Sequence, residues 1–149
     1  MEYTVRHYHP DDYPHICRID YDLFGEFRYS PIFLRQAGEL FAPAYYVATA
    51  GEELIGYVIG APVMDRPEDG WILRIGVTTE WQGRGVGAAL IDPLVTCFEE
   101  KGAARIRIVV SKRYGPVTDL LLSKGFSVSS HEKAYYYPDI DRIIMERVF

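Results

Sequence analysis

The segment Gln82-Gly83-Arg84-Gly85-Val86-Gly87 decides how this chain folds. An extended apolar run, residues 71–77, precedes it and is typical of a strand. Apolar residues then recur at helical spacing, at Val86, Leu90, Leu94 and Phe98. The first turn of a helix has N–H groups without intrahelical partners, and glycines let an anion approach them closely. The strand, the glycine turn and the helix start therefore predict a binding site for a pyrophosphate group.

Two common phosphate-binding patterns do not fit this segment. A P-loop ends in Gly-Lys-Ser/Thr, whereas two alanines follow Gly87. A Rossmann fingerprint has G-x-G-x-x-G spacing, and Gly83, Gly85 and Gly87 match only its first pair of glycines. The pattern that fits is Q/R-x-x-G-x-G/A, formed by Gln82, Gly85 and Gly87. The structural alternative is an ordinary strand–turn–helix with small residues for close packing.

Composition predicts one soluble domain over residues 1–149. Hydrophobic residues make up 48% and charged residues 25%, and no internal repeat or linker is visible. The two cysteines, Cys17 and Cys97, lack metal-ligand spacing and favour buried thiols in a reducing compartment. With no long apolar run and no signal-peptide pattern, we expect a cytoplasmic protein without membrane contact.

The net charge of the chain bears on which partners it is expected to bind. The net charge of −5 argues against nucleic acid as the main partner and mildly favours a cationic substrate, although it also serves solubility. The four histidines show no paired spacing, so no metal is expected. We expect a monomer or a homodimer.

Hydrophobic periodicity predicts the element order β-α-α-β-β-β-α-β-α-β-β. Ser30-Pro31 is a helix start, and Asp11 or Asp12 would cap the first helix. Pro93 would bend the third helix, and residues 62–70 are interpreted as a polar loop. The strands are predicted at residues 3–8, 45–50, 54–60, 71–78, 105–110, 126–131 and 140–148, and the helices at about 10–23, 31–40, 86–101 and 115–124.

The glycine segment and the strand before it resemble the acetyl-CoA loop of the GCN5-related N-acetyltransferases (GNAT). Within that family the chain is most similar to the protein N-terminal acetyltransferases, including the ribosomal-protein alanine acetyltransferases. Further matches are an aromatic segment, a G-F pair, a tyrosine pair and a closing D-A-x-x-M-like strand. These are Phe27-Arg28-Tyr29-Ser30, Gly125-Phe126, Tyr135-Tyr136 and Asp141-Arg142-Ile143-Ile144-Met145.

The resemblance implies a mixed α/β fold of about seven strands flanked by four helices. The twisted sheet would open between its fourth and fifth strands, with acetyl-CoA as co-substrate in the gap. The strand that precedes the glycine loop would pair with the pantetheine arm of acetyl-CoA, and the loop and the helix start would hold its pyrophosphate. The implied cofactor-binding residues are Ile75, Gly76, Val77, Gln82, Gly83, Arg84, Gly85, Val86, Gly87 and Ala88.

The acceptor site and the catalytic groups follow from the same comparison. We expect the Val77 N–H to stabilise the developing oxyanion of the thioester, and Tyr114 to lie near the leaving thiolate. Tyr114 stands where relatives often carry an asparagine. The expected substrate-binding residues are Glu26, Phe27, Tyr29, Tyr135 and Tyr136.

The chain departs from the family where an acid or a base is usual. Leu121 replaces a tyrosine assigned as the general acid, and Val109 replaces a glutamate base of the bacterial enzymes. Trp71 stands where other relatives carry an acid or a tyrosine. The sequence therefore predicts no side-chain carboxylate base of raised pKa, which suits an acceptor amine of low pKa.

The resulting function hypothesis is an N-acetyltransferase that moves an acetyl group from acetyl-CoA to a primary amine by direct attack in a ternary complex. A protein or peptide N-terminal α-amine is the expected acceptor. The alternatives are a small amine (a polyamine, an amino acid or an antibiotic) and a catalytically inactive CoA-binding module.

Overall fold

The computed structural model describes residues 2–111 and 115–149. Within these residues the chain forms seven strands and four helices in the predicted order, joined in places by single turns of 3₁₀-helix. The elements are β1 Thr4–His7, α1 Tyr13–Phe24, α2 Pro31–Leu40, β2 Tyr45–Ala50, β3 Glu53–Val63, β4 Arg66–Val77, α3 Val86–Glu100, β5 Arg105–Ser111, α4 Gly115–Ser123, β6 Ser127–Tyr137 and β7 Ile140–Val148.

One mixed sheet has the strand order β1-β2-β3-β4-β5-β7-β6. Its neighbours are antiparallel except β4 and β5, which run parallel. That parallel pairing spans only Asp69–Ile72 opposite Arg105–Ile108. Beyond Ile72 the two strands are no longer paired, so the sheet opens into a wedge at the predicted place, and the predicted fold class is confirmed.

Helices cover the sheet on two faces and bury two hydrophobic clusters. Helix α3 packs on one face, where Leu90, Leu94 and Phe98 meet alternate residues of the strands. Helices α1 and α2 pack on the other face, where Ile16 and Leu34 contact a second cluster. Strand β3 is buried on both sides, which explains its nearly continuous apolar sequence. Among the described residues, no helix is long and apolar enough to cross a membrane.

The hairpin between β3 and β4 corrects the predicted polar loop at residues 62–70. Strand β3 extends to Val63 and β4 begins at Arg66, with Pro62 in register with Gly70. The composition of this segment suggested a loop, but backbone pairing with a neighbouring strand outweighs local propensity. Strand β6 likewise continues to Tyr137, beyond its predicted end at residue 131.

The helix caps were predicted in part. Ser30 caps α2 as expected, because its Oγ accepts the Phe33 N–H at 3.1 Å. At the first helix, however, it is His9 whose ring nitrogen accepts the Asp11 N–H. Asp12 occupies the N-cap position of α1, as predicted, but its side chain forms no capping hydrogen bond there and instead binds Arg6 with both carboxylate oxygens. The two cysteines are free and only partly buried, contrary to the expectation of fully buried thiols.

Asp69 stands at the first rung of the parallel β4–β5 pairing. It is 3% exposed, and Arg105, its partner across the strands, donates to it at 2.6 Å. This hydrogen bond holds the pKa of Asp69 below its ordinary value of 3.8. A carboxylate with a lowered folded-state pKa stabilises the fold above its unfolded-state pKa, and that contribution is lost as the pH falls towards the folded-state value.

We therefore predict that Asp69→Asn lowers the Tm at pH 7 by about 2–5 °C. The gap between variant and wild type should narrow as the pH falls below about 4 and close once the pH is below the lowered folded-state pKa of Asp69, where both side chains are neutral. Thermal unfolding followed by circular dichroism across this range measures the gap. Asp65→Asn, in the turn of the β3–β4 hairpin, is the matched control. A gap that does not change with pH would contradict the assigned ion pair.

Candidate active site

The glycine loop lies between the end of β4 and the start of α3. Gly83 and Gly85 have φ values of 77° and 85°, a left-handed conformation that favours glycine. Gly85 is also the N-cap of α3. The Gln82 side chain donates from Nε2 to the Val77 carbonyl at 2.9 Å, which ties the loop to the end of the strand. The loop conformation is thus set by its own residues.

The start of α3 presents free backbone donors. Its first helical hydrogen bond runs from the Ala89 N–H to the Gly85 carbonyl at 3.0 Å. The N–H groups of Val86, Gly87 and Ala88 therefore precede the helical ladder and have no helical acceptor. With the positive end of the helix dipole, they form a site that fits a pyrophosphate.

Two further loop residues have structural roles. A Cβ at Gly87 would lie 2.8 Å from Leu120 Cδ2, so this glycine permits close packing of α3 against α4. The structural alternative to phosphate binding therefore accounts for part of the Gly87 requirement. The Arg84 guanidinium lies 4.9 Å above the Trp81 ring, in the exposed part of the loop.

The last residues of β4 direct backbone groups into the wedge. The Thr78 N–H donates to the Ile55 carbonyl of β3 at 2.9 Å. Because successive residues of a strand point their backbone groups to opposite edges, Val77 and Ile75 point theirs away from β3. Strand β5 has already separated at Ile72, so this edge is open to an extended ligand.

Gly76 lies between these two residues, and its backbone points towards β3. A Cβ at Gly76 would lie 2.9 Å from Tyr57 Cε1, so its small size makes room for the buried Tyr57 ring. The predicted cofactor residues of β4 therefore divide into two with backbone groups at the open edge, Ile75 and Val77, and one that allows the packing beneath them.

A buried carboxylate, Asp20, anchors the other wall of the wedge. Both of its oxygens accept from Arg74 Nη1, at 3.0 and 3.1 Å, and Oδ2 accepts the Tyr29 N–H at 2.7 Å. Its Oδ1 also accepts the Tyr57 hydroxyl. Burial and the Asp20 charge raise the pKa of Tyr57 well above its usual value, so its hydroxyl remains a donor. Asp20 is therefore saturated with donors and has a structural role.

Arg74 joins the segment between α1 and α2 to β4. Its Nη2 donates to the Phe27 carbonyl at 3.0 Å, and its guanidinium lies between the rings of Phe24 and Tyr29, at 3.9 and 4.1 Å. The Tyr29 hydroxyl donates at 3.0 Å to the carbonyl of Leu73, which has no partner in β3 because the register shifts there. These contacts fix the positions of Phe27 and Tyr29.

Aromatic rings from β6 and from the segment between α1 and α2 contact one another. Tyr137 of β6 lies 4.9 Å from the Phe27 ring, between ring centroids, and so connects β6 to the segment between α1 and α2. Tyr135 and Tyr136 pack edge to face at 4.7 Å. Burial, then the charges of the neighbouring Tyr135 and Tyr29, raises the pKa of Tyr136.

The backbone of β6 explains why these rings project. The pairing with β7 shifts between Glu132 and Tyr137, which leaves the residues between them without partners in β7. Ala134 has a φ of 49°, and its N–H donates to Asp141 Oδ1 at 3.2 Å. This bulge turns Tyr135 and Tyr136 out of the sheet, where 41% and 59% of their surfaces are exposed.

The remaining predicted residues are distributed as follows. Glu26 is exposed and borders, with Tyr29, a pocket of about 310 Å³. Tyr114 lies outside the described residues, so its role stays a prediction. Leu121 is fully buried in the core. In the described part of the chain, no group of three His, Cys, Asp or Glu side chains is arranged to hold a metal.

Sequence reasoning missed Asp20, Arg74 and Tyr137. The available signal for Arg74 was a charged residue inside an otherwise apolar strand, which requires a buried partner. Asp20 was the corresponding acid, on the helix face that already carried Ile16 and Ile19. Tyr137 adjoined the tyrosine pair but was assigned only to the connection between the last two strands.

Comparison with known proteins is consistent with this geometry. The Acetyltransferase (GNAT) family matches residues 3–125. No curated protein matched the chain. Ard1 from Thermoplasma volcanium has a similar structure, with a TM-score of 0.90 and 20% identity over 99% of this chain and 98% of that one.

Two further structures differ in the acceptor that they act on. The ribosomal-protein-S18-alanine N-acetyltransferase from Escherichia coli has a TM-score of 0.84 and 22% identity over 99% of this chain and 94% of its own. The diaminobutyrate acetyltransferase EctA from Paenibacillus lautus has a TM-score of 0.86 and 17% identity over 99% and 96%. At these identities the likeness establishes the shared fold.

The anion loop can be tested by calorimetric titration with acetyl-CoA. Any side chain at Gly85 strains its left-handed backbone, so Gly85→Ala is the control for strain and Gly85→Glu adds a negative charge. We predict that the glutamate variant binds at least about 100-fold more weakly than the alanine variant, because its carboxylate repels the pyrophosphate. The two variants should have similar Tm values. Equal affinities in the two variants would contradict the loop assignment.

Proposed function

Because the chain belongs to the acetyltransferase (GNAT) family, we propose that it transfers the acetyl group of acetyl-CoA to a protein or peptide N-terminal α-amine. The observation that carries this proposal is the wedge between β4 and β5. The glycine loop leads from the open end of β4 to the start of α3, and the contact between Phe27 and Tyr137 brings aromatic residues from two distant parts of the chain together. The wedge thus joins an anion site to an acceptor surface.

The cofactor side of the wedge supports acetyl-CoA as the donor. The free N–H groups at the start of α3 would hold the pyrophosphate, and the open edge of β4 would pair with the pantetheine arm. When bound, acetyl-CoA supplies a thioester activated towards amines. The Val77 N–H, which points into the wedge, is the proposed donor to the oxyanion, and losing such a donor typically costs about 3 kcal/mol of barrier.

The acceptor side favours a polypeptide. Tyr135, Tyr136 and Tyr137 are 41%, 59% and 43% exposed, so their rings form a broad surface beside Phe27 and Tyr29. A surface of this kind suits an extended chain that contacts several rings in turn. A small polar amine would instead require an enclosed pocket with convergent polar groups. Phe27, Tyr29, Tyr135 and Tyr136 are accordingly proposed to bind the acceptor, as the sequence predicted.

Proton removal is proposed to depend on the acceptor itself. The pKa of an α-amino group is about 7.7–8.0, so roughly a tenth of it is neutral at pH 7, whereas a lysine amine at about 10.4 is almost entirely charged. A site without a strong base therefore suits the α-amine. Glu26 is proposed as a water-relayed base or an acceptor anchor, and Tyr114 as the group near the thiolate.

A panel of acceptors tests the function directly. Purified protein with acetyl-CoA should release CoA thiol with N-terminal peptides, and at least about tenfold more slowly with their N-acetylated forms, polyamines or free amino acids. Mass spectrometry of the peptide product would place the acetyl group on the α-amine. Faster turnover of small amines would support the alternative acceptor class. Tight binding of acetyl-CoA without turnover of any amine would support the binding module.

The pH dependence tests the proposed absence of a carboxylate base of raised pKa. We predict that kcat/KM rises with pH and levels off near the pKa of the acceptor amine, at about pH 8 for an ordinary α-amine. Peptides with different N-terminal pKa values should shift the midpoint in step. A midpoint that stays near about pH 6 with every acceptor would reveal a titrating enzyme base and contradict this prediction.

A further inference from the structure

The sheet face opposite α3 carries several arginines in the C-terminal half of the chain, beside the proposed acceptor site. In β7, Ile143 and Met145 point into the core beneath α3, whereas Arg142 precedes them in the strand and so points to the opposite face. Its guanidinium lies 5.7 Å from the Tyr136 ring centroid. Arg142 therefore brings a positive charge next to Tyr136, a residue of the proposed acceptor site.

The other arginines near this face are neutralised. Arg74 pairs with Asp20 at 3.0 Å, Arg105 with Asp69 at 2.6 Å, and Arg107 with Glu146 at 3.5 Å. Their charges are therefore compensated by carboxylates within the fold. Arg142, by contrast, forms no ion pair with any carboxylate of residues 2–111 and 115–149.

Two acids lie close to Arg142 along the strands. Glu132 is opposite Arg142 in the register of β6 and β7, but its carboxylate forms no ion pair with the Arg142 guanidinium. Asp141 precedes Arg142, and its Oδ1 accepts the Ala134 N–H. Burial raises the pKa of Tyr136, and the positive charges of Arg142 and Arg74 oppose that rise. The Tyr136 hydroxyl thus lies in the field of two guanidinium groups, of which only Arg142 lacks a paired acid.

We propose that Arg142 selects acceptors that carry a carboxylate close to the reacting amine. This carboxylate belongs to an acidic side chain near the N-terminus of a protein. This inference rests on the proposed amine acetylation. A guanidinium offers a planar pair of donors to a carboxylate. A charge at the rim of a binding surface mainly determines which partner is preferred. The local charge thus outweighs the net charge of −5, which favoured a cationic substrate.

The experiment compares peptides that differ only by Glu or Gln at each of the first few positions. For wild type we expect kcat/KM to be about tenfold higher for the glutamate peptide at the preferred position, through a lower KM. Arg142→Gln should reduce this ratio to about twofold or less, and Arg142→Lys should restore it in part. Higher salt should also reduce the ratio in wild type.

The matched control is Arg147→Gln. Arg147 is on the same strand, but its guanidinium donates to the Lys124 carbonyl at 3.1 Å and lies beside Phe149. It should leave the glutamate preference unchanged. Acetyl-CoA affinity, measured by calorimetry, should be equal in both variants and wild type.

The outcomes separate this inference from the proposed function. Turnover of peptides without a charge preference, or a preference that survives in Arg142→Gln, overturns the role of Arg142 alone. A preference confined to free amino acids over their amides, and lost in Arg142→Gln, supports the role of Arg142 but overturns the peptide source. No CoA release with any acceptor overturns both proposals.

Discussion

The structure depends on a parallel contact that stops early. Strands β4 and β5 share a register only over Asp69–Ile72, although β4 continues to Val77. Full pairing would satisfy the backbone of β4 and leave no place for a ligand. Because β5 separates, the last residues of β4 keep one edge open, and the glycine loop brings the start of α3 to the same place. The proposed binding site is thus an interruption of the sheet.

The open edge requires support from the opposite wall. A strand that loses a neighbour also loses part of what holds it in place. Here the segment between α1 and α2 replaces that support through Arg74, which connects Asp20 and the Phe27 carbonyl to β4. A buried ion pair gains little net stability by itself, but it fixes geometry when every oxygen is satisfied. In this chain it fixes the wall that the acceptor is proposed to contact.

Sequence reasoning succeeded where the chemistry is local. The left-handed Gly83 and Gly85 and the Ser30 cap depend on their nearest neighbours, so they could be predicted from residue type and spacing. Sequence reasoning failed where the structure depends on contacts between residues that are distant in the chain. The pairing of Arg74 with Asp20, and the contact of Phe27 with Tyr137, join parts of the chain that no periodicity relates. Residues 62–70 were assigned to a loop because their composition is polar. Backbone pairing within the β3–β4 hairpin overrides that composition.

Ala134 shows how the acceptor wall acquires its orientation. An L-residue at a φ of 49° bears steric strain of about 1–2 kcal/mol, which a glycine would avoid. A glycine would also release the backbone that turns the neighbouring tyrosine rings outward, since it moves freely between left- and right-handed conformations. The alanine therefore exchanges some thermal stability for a narrow distribution of ring orientations. A chain with glycine at this position would therefore trade one of these properties against the other, so that thermal stability and the proposed discrimination among acceptors change in opposite directions.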